Sequence, residues 1–320
     1  MDLNQENNFI SSGNGPSISS WAERNGFDDW VLALFWIVIA FILFQISAGI
    51  VAATLYFVRE GIQAQPNPQE IIQAFQENLD LLFIGNSFGQ IVFLGAATWL
   101  FSRLHTTKRD QPVFMRFQAF DKTPKMLALT AVLIVAAQPI IWFLSWINIQ
   151  LPVPEYFESM QNTQLQLIEQ FLRSDHNMML TLFHIGLVPA VCEEILYRGY
   201  TLRAFEKSWG IWTAIIVSGF LFGLYHLQLT NLLPLAFIGI VLAYVTYVSE
   251  SIYPAMLAHL INNGGSVLVA SYYPDSSIAE MTPESMPPAW ALTFGIVISA
   301  WIINYMYQHR QQTQGGTTDV

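Results

Sequence analysis

Long apolar runs separated by short polar stretches dominate the chain. Eight of them read as helices: residues 30–58, 81–101, 126–147, 179–198, 211–227, 232–248, 252–271 and 290–307. A helix needs about 20 apolar residues to cross the hydrocarbon core of a bilayer, with a floor near 17. The shortest of these runs therefore need longer neighbours around them. The pattern predicts an all-α fold, a multi-pass transmembrane bundle of about eight helices. Two polar stretches between the runs also look helical. Residues 68–79 open with Pro68 at a first-turn position. Residues 156–172 space Met160, Leu167, Ile168, Phe171 and Leu172 among polar residues. That spacing suits a helix lying in the membrane interface, or one packed on the bundle.

Composition supports this reading. Of 320 residues, 53% are hydrophobic and 11% charged, where a soluble domain carries about 25% charged residues. The net charge of −10 and the lack of a basic cluster on a soluble domain argue against nucleic-acid binding. Cys192 is the one cysteine, which excludes an intrachain disulfide and reads as a small buried apolar residue. Residues 1–27 are polar and rich in Asn, Ser and Gly, without the basic start and apolar core of a signal peptide. They are expected as a disordered N-terminal tail, and residues 309–320 as a disordered C-terminal one. Residues 28–308 then form a single transmembrane domain. The segment 102–125 holds Arg103, Lys108, Arg109, Arg116, Lys122 and Lys125 and is expected in the cytoplasm. With eight spans, both termini lie on that side too.

Polar residues inside the apolar runs carry the chemistry. An ionisable side chain at the centre of a membrane helix costs roughly 2.5–3.5 kcal/mol on insertion scales and marks a functional position by default. Glu193, Glu194 and Arg198 close the fourth run. Glu194 and Arg198 are four apart on one face, acid first, which is the favourable order for a pair. Glu193 then points about 100° away without a local cation. Phe222 and His226 are spaced by four at the end of the fifth run, and His259 and Asn263 by four in the seventh. Taken singly, each has a plainer reading: a structural clamp for Glu194 and Arg198, packing for Phe222, and helix-to-helix hydrogen bonding for His226 and Asn263. His184 reads as structural or pore-lining. His105, His176 and His309, in loops or at ends, carry no signal. An acid, two imidazoles and an amide on three apolar helices nevertheless form the kind of set that bundles assemble into a site.

Such a set can hydrolyse a peptide bond. A carboxylate in an apolar site is a stronger base than in water, and one poised nearer neutrality suits general-base catalysis. His226 can orient the same water or pass the proton on. His259 and Asn263 can donate to the oxyanion, where losing one donor typically costs about 2.7–4 kcal/mol. Glu with two His also matches the ligand types of a catalytic zinc site, without the His-Glu-x-x-His signature. Residue types do not separate a zinc-bound water from a Glu-activated one. A proton- or ion-coupled transporter would also use buried Glu and His, but no internal repeat supports it.

The ordered motifs Glu193-Glu194-x-x-x-Arg198, Phe222-x-x-x-His226 and His259-x-x-x-Asn263 resemble those of the CPBP family. That family comprises CaaX prenyl endopeptidases and their bacteriocin-processing and immunity relatives. The resemblance covers residues 187–267. It implies an intramembrane endopeptidase with Glu193 as water-activating base, His226 as its partner, His259 and Asn263 as oxyanion donors, and Glu194 with Arg198 holding the motif helix. The family has been described both as metalloprotease and as metal-free glutamate protease, so zinc stays open. The implied partners are the lipid bilayer and a peptide or protein substrate entering from the membrane or the cytoplasmic side. A multi-pass bacterial inner-membrane protein fits the length and the basic loops. A non-catalytic immunity or partner-binding protein on the same fold is the alternative.

Overall fold

The computed structural model describes residues 20–61, 77–173, 178–273 and 285–310, and among them it is helical without a strand. The main helices are α1 (Asp29–Glu60), α2 (Leu79–Leu104), α3 (Thr123–Ala136), α4 (Gln138–Asn148) and α5 (Glu155–Arg173). They continue with α6 (Met178–Trp209), α7 (Ile211–Tyr225), α8 (Leu232–Ser249), α9 (Tyr253–Tyr272) and α10 (Ala289–Gln308).

Among the described residues, five helices are long and apolar enough to span a membrane, or six when α3 and α4 count as one span bent by 42°. This is fewer than the eight expected, and each difference has a cause. Helix α7 is apolar but only 15 residues long. Helix α9 is long enough, but His259, Asn262, Asn263, Gly264 and Gly265 dilute its apolar character. The expected third span breaks at Ala137, because Pro139 has no N–H to give the preceding turn.

The amphipathic stretch forms α5 close to its expected limits. Gln161 on it is buried and accepts from the backbone N–H of Thr230 at 3.3 Å, so α5 lies over the turn that follows α7. Of the stretch expected as an N-terminal tail, residues 20–27 include a helical turn, Trp21–Arg24, closed by a reciprocal capping box between Ser20 and Glu23. Residues 68–76 of the polar helix expected at 68–79, the remainder of that tail and the C-terminal segment from 311 lie outside the described residues.

Helices α7 and α8 meet backbone to backbone. A Cβ on Gly219 would sit 2.6 Å from the Ile240 nitrogen, and one on Gly239 would sit 2.5 Å from the Gly219 carbonyl. Small residues allow this approach in membrane bundles, and it fixes the helix that ends in His226.

Candidate active site

Helix α6 carries the two acids, and it is not regular. Pi-helical stretches at Leu182–Leu187 and Ile195–Thr201 flank the α-helical segment Val188–Glu194. Such widened turns recur at functional sites. Pro189 contributes to the irregularity. In an α-helix its N–H would serve the carbonyl of Ile185, and proline has none. Asn263 of α9 fills that role, its amide donating to the Ile185 carbonyl at 3.2 Å, while its own oxygen accepts from Asn262 at 3.3 Å.

Glu194 and Arg198 are fully buried. Arg198 Nη1 donates to Glu194 Oε1 at 2.8 Å, and Nη2 donates to the Gly239 carbonyl at 2.9 Å, which ties α6 to α8. The same Glu194 oxygen lies 2.8 Å from His259 Nδ1. A carboxylate is acceptor only, so His259 places a proton on Nδ1. His226 caps α7 and puts its Nδ1 2.8 Å from the Phe222 carbonyl, which again places the proton on Nδ1. In their neutral forms both rings therefore present a bare Nε2.

Both Nε2 atoms face Glu193. Each lies 3.9 Å from Glu193 Oε2, and that oxygen is buried without a hydrogen-bond partner among the described residues. The distance is too long for a direct hydrogen bond and is the kind of gap a bridging water closes. The structure thus brings Glu193, Glu194, Arg198, His226 and His259 together, while Asn263 bonds to α6 one turn of α9 beyond His259.

Phe222 organises the group. Its ring lies edge-on to His226 and His259 at centroid distances of 4.9 and 5.7 Å, and the Arg198 guanidinium stacks 4.4 Å over its face. Its conjunction with His226 was legible in the sequence; this threefold contact was not. His184 pairs with Ser87 at 2.7 Å, away from the acids. Cys192 is buried.

As placed, the three side chains Glu193, His226 and His259 stand wider apart than the ligands of a closed zinc site. A tetrahedral site with bonds of about 2.1 Å sets its ligand atoms roughly 3.4 Å apart, closer than the 3.9 Å found between Glu193 and either imidazole. Among the described residues no three His, Cys, Asp or Glu side chains converge to hold a metal ion.

Sequence reasoning missed a second polar cluster. His105 is buried, with Nδ1 hydrogen-bonded to Asp29 and Nε2 2.7 Å from the Tyr200 hydroxyl. Lys207 bridges Asp29 at 3.0 Å and Glu23 at 2.5 Å. The contacts join positions 76 and 95 residues apart, so no local spacing announces them.

No curated protein and no solved structure matches the chain. Residues 175–265 match the family model for the Type II CAAX prenyl endopeptidase Rce1-like proteins. The match spans the acids of α6, all of α7 and α8, and both His259 and Asn263. Residues 175–265 are an Rce1-like domain of the CPBP group.

Proposed function

We propose that the protein is an intramembrane endopeptidase in which Glu193 activates a water molecule held between itself and the two imidazoles. One observation carries the reading: a buried carboxylate oxygen without a partner, equidistant from two ring nitrogens whose other N–H groups are already committed.

The water gives one hydrogen to Glu193 Oε2 and the other to His226 Nε2. As its oxygen attacks the scissile carbonyl, its proton passes to Glu193. The same carboxyl then delivers the proton to the leaving amine as the C–N bond breaks. His259 differs from His226 in having a carboxylate behind it. Glu194 accepts from Nδ1 and fixes the ring with Nε2 toward Glu193; when the ring carries both protons, its Nε2–H donates to the oxyanion. Arg198 holds Glu194 in place for that task. Asn263, bonded to the Ile185 carbonyl, keeps α9 in register with the acids and retains a second amide hydrogen for the substrate.

The domain match supports a protease that takes peptides with lipid close by, and a prenylated CAAX peptide is the substrate class to try first. We place the basic segment 102–125 in the cytoplasm, so that peptides arrive from that side. Cleavage of a farnesylated CAAX peptide, and of its unprenylated counterpart, should be measured in proteoliposomes. Glu193→Gln keeps the shape and removes the base, and activity is expected to fall about 10²–10⁴-fold. Full activity in the Gln variant would refute the role of Glu193.

A further inference from the structure

His226 stands at the end of its helix, whereas the other groups of the site stand inside theirs. Both acids lie within α6 and His259 lies within α9, so helical hydrogen bonds hold their backbones on either side. Helix α7 stops at Tyr225, and its last turn is tightened by the Leu227 N–H on the Leu224 carbonyl at 3.0 Å. From there to α8 at Leu232 the chain has only a single 3₁₀ turn, Leu229–Asn231.

The first step of that path is strained. Leu227 has a φ of 56°, the left-handed region where a Cβ crowds the following carbonyl. Arg116 and Glu250 share that conformation, and an ion pair joins them. Leu227 has no charge to hold it. A residue persists in such a conformation where its surroundings fix it, and such places cluster at functional sites.

What fixes it comes from two other helices. Asn148, buried at the last position of α4, donates from Nδ2 to the Leu229 carbonyl at 2.8 Å. Its Oδ1 accepts the Leu233 N–H at 2.6 Å. One amide thus grips the chain on both sides of the turn. Gln161 of α5, also buried, accepts from the Thr230 N–H at 3.3 Å and from the Thr230 hydroxyl. Gln228 Nε2 donates to Gln164 Oε1, again on α5, at 3.3 Å. Supplying partners to backbone groups away from water is the plain part of this role. The grip goes further, because it sets the direction in which α7 hands on the chain. It does so directly after the imidazole whose Nε2 stands 3.9 Å from Glu193.

We propose that Asn148 is a positioning residue for the hydrolysis: by clamping Leu229 and Leu233 it keeps Leu227 left-handed and so holds the His226 imidazole in place opposite Glu193. This rests on the endopeptidase reading given above. Asn148 acts through the turn and not on the peptide, so its effect falls on kcat. Misplacing a reacting group by about 1 Å can cost about 10²-fold. Gln161 serves the same turn from α5 and contributes less, since it holds Thr230 alone where Asn148 bridges two residues.

Asn148→Ala removes the grip and leaves every group around Glu193 unchanged. With the farnesylated CAAX peptide in proteoliposomes, kcat per folded molecule is expected to drop about 10–10²-fold with KM little changed. Protein labelled with ¹⁵N-histidine reports the ring itself in detergent. The His226 resonances, assigned by their loss in His226→Ala, should shift or broaden in Asn148→Ala, while those of His259 stay. A general loosening of the bundle would move both imidazoles. Gln161→Ala should repeat both effects at smaller size, and it decides the question if Asn148→Ala does not fold. The proposal is overturned if kcat stays within about threefold of the unsubstituted protein, or if the loss falls on KM alone. Unmoved His226 resonances in a folded variant overturn it too. If neither variant folds, the turn is a requirement of the fold and the proposal falls. Glu193→Gln measured alongside separates the two claims. An inactive Gln variant with unmoved His226 resonances sinks the role of Asn148 only. Absence of cleavage by the unsubstituted protein, or an active Gln variant, sinks both.

Discussion

Two buried polar clusters lie on helix α6, and they differ in how fully their charges are met. Toward the C-terminal end of the helix, Asp29, His105, Tyr200, Lys207 and Glu23 join into one chain of contacts. Beside it, the buried Arg116 is answered by Glu250 at 2.9 Å and Glu206 at 3.2 Å. Both Arg116 and Glu250 adopt left-handed backbone with φ near 54° and 50°, a conformation held by their mutual ion pair and by the Ile252 N–H on the Arg116 carbonyl. Each carboxylate there has a cation or imidazole within contact distance. At the middle of α6, Glu194 meets both Arg198 and His259 through Oε1, although its Oε2 has no hydrogen-bond partner among the described residues; Glu193 has no such close cation, its Oε2 lying 3.9 Å from each imidazole. Paired charge fastens helices and loops to one another. Charge held short of pairing is costly, and a fold keeps it where a reactant completes the set.

The contrast is broken most severely at Arg198. Removing one partner of a buried ion pair leaves the other charge uncompensated, at about 3–5 kcal/mol. Arg198→Met should lower stability by about that amount in detergent unfolding, and Glu194→Gln added to it should recover much of the loss. A double variant as unstable as the sum of the two single ones would mean that Glu194 and Arg198 act separately, against the geometry described here.

The second cluster responds differently. His105→Phe strips a hydrogen bond from the Tyr200 hydroxyl and another from Asp29, and the expected cost is about 1–3 kcal/mol. Turnover per folded molecule should stay the same, because His105 is not among the groups around Glu193. If turnover falls while stability holds, the two clusters are not separable, and the comparison between them fails.

How much of this was legible beforehand follows from the distances along the chain. Glu194 with Arg198, Phe222 with His226 and His259 with Asn263 are all four apart, one turn of helix, so their shared faces could be read directly. The apolar runs were legible as helices because hydrophobicity persists through each of them. Their number as membrane spans was not, since α9 gives up apolar positions to the residues that serve the site. The break between α3 and α4 had a signal in Pro139 that a hydropathy pattern averages away. His105 reads as an unremarkable loop histidine, because Asp29 and Tyr200 reach it only through tertiary packing.

The smallest effect tests the outer edge of the paired cluster. Glu23 accepts from the Ser20 N–H at 2.8 Å in its capping box, and its other oxygen meets Lys207. The Lys207 ammonium holds the Glu23 carboxyl below its ordinary range, chiefly through that hydrogen bond. A carboxyl depressed in the folded state adds stability at pH values above its unfolded pKa, and the gain disappears as pH falls through the folded value. Glutamine serves a capping box as well as glutamate does, so Glu23→Gln removes the charge and keeps the cap. Both side chains are partly exposed, at 45% for Glu23 and 31% for Lys207, so the pair should contribute about 0.2–1 kcal/mol at neutral pH. Unfolding of the two proteins should converge in acid below the folded pKa, and the difference at neutral pH should shrink with added salt. A gap that persists unchanged into acid would show that Glu23 works through shape rather than charge, leaving Asp29 as the acid that anchors Lys207 in this cluster.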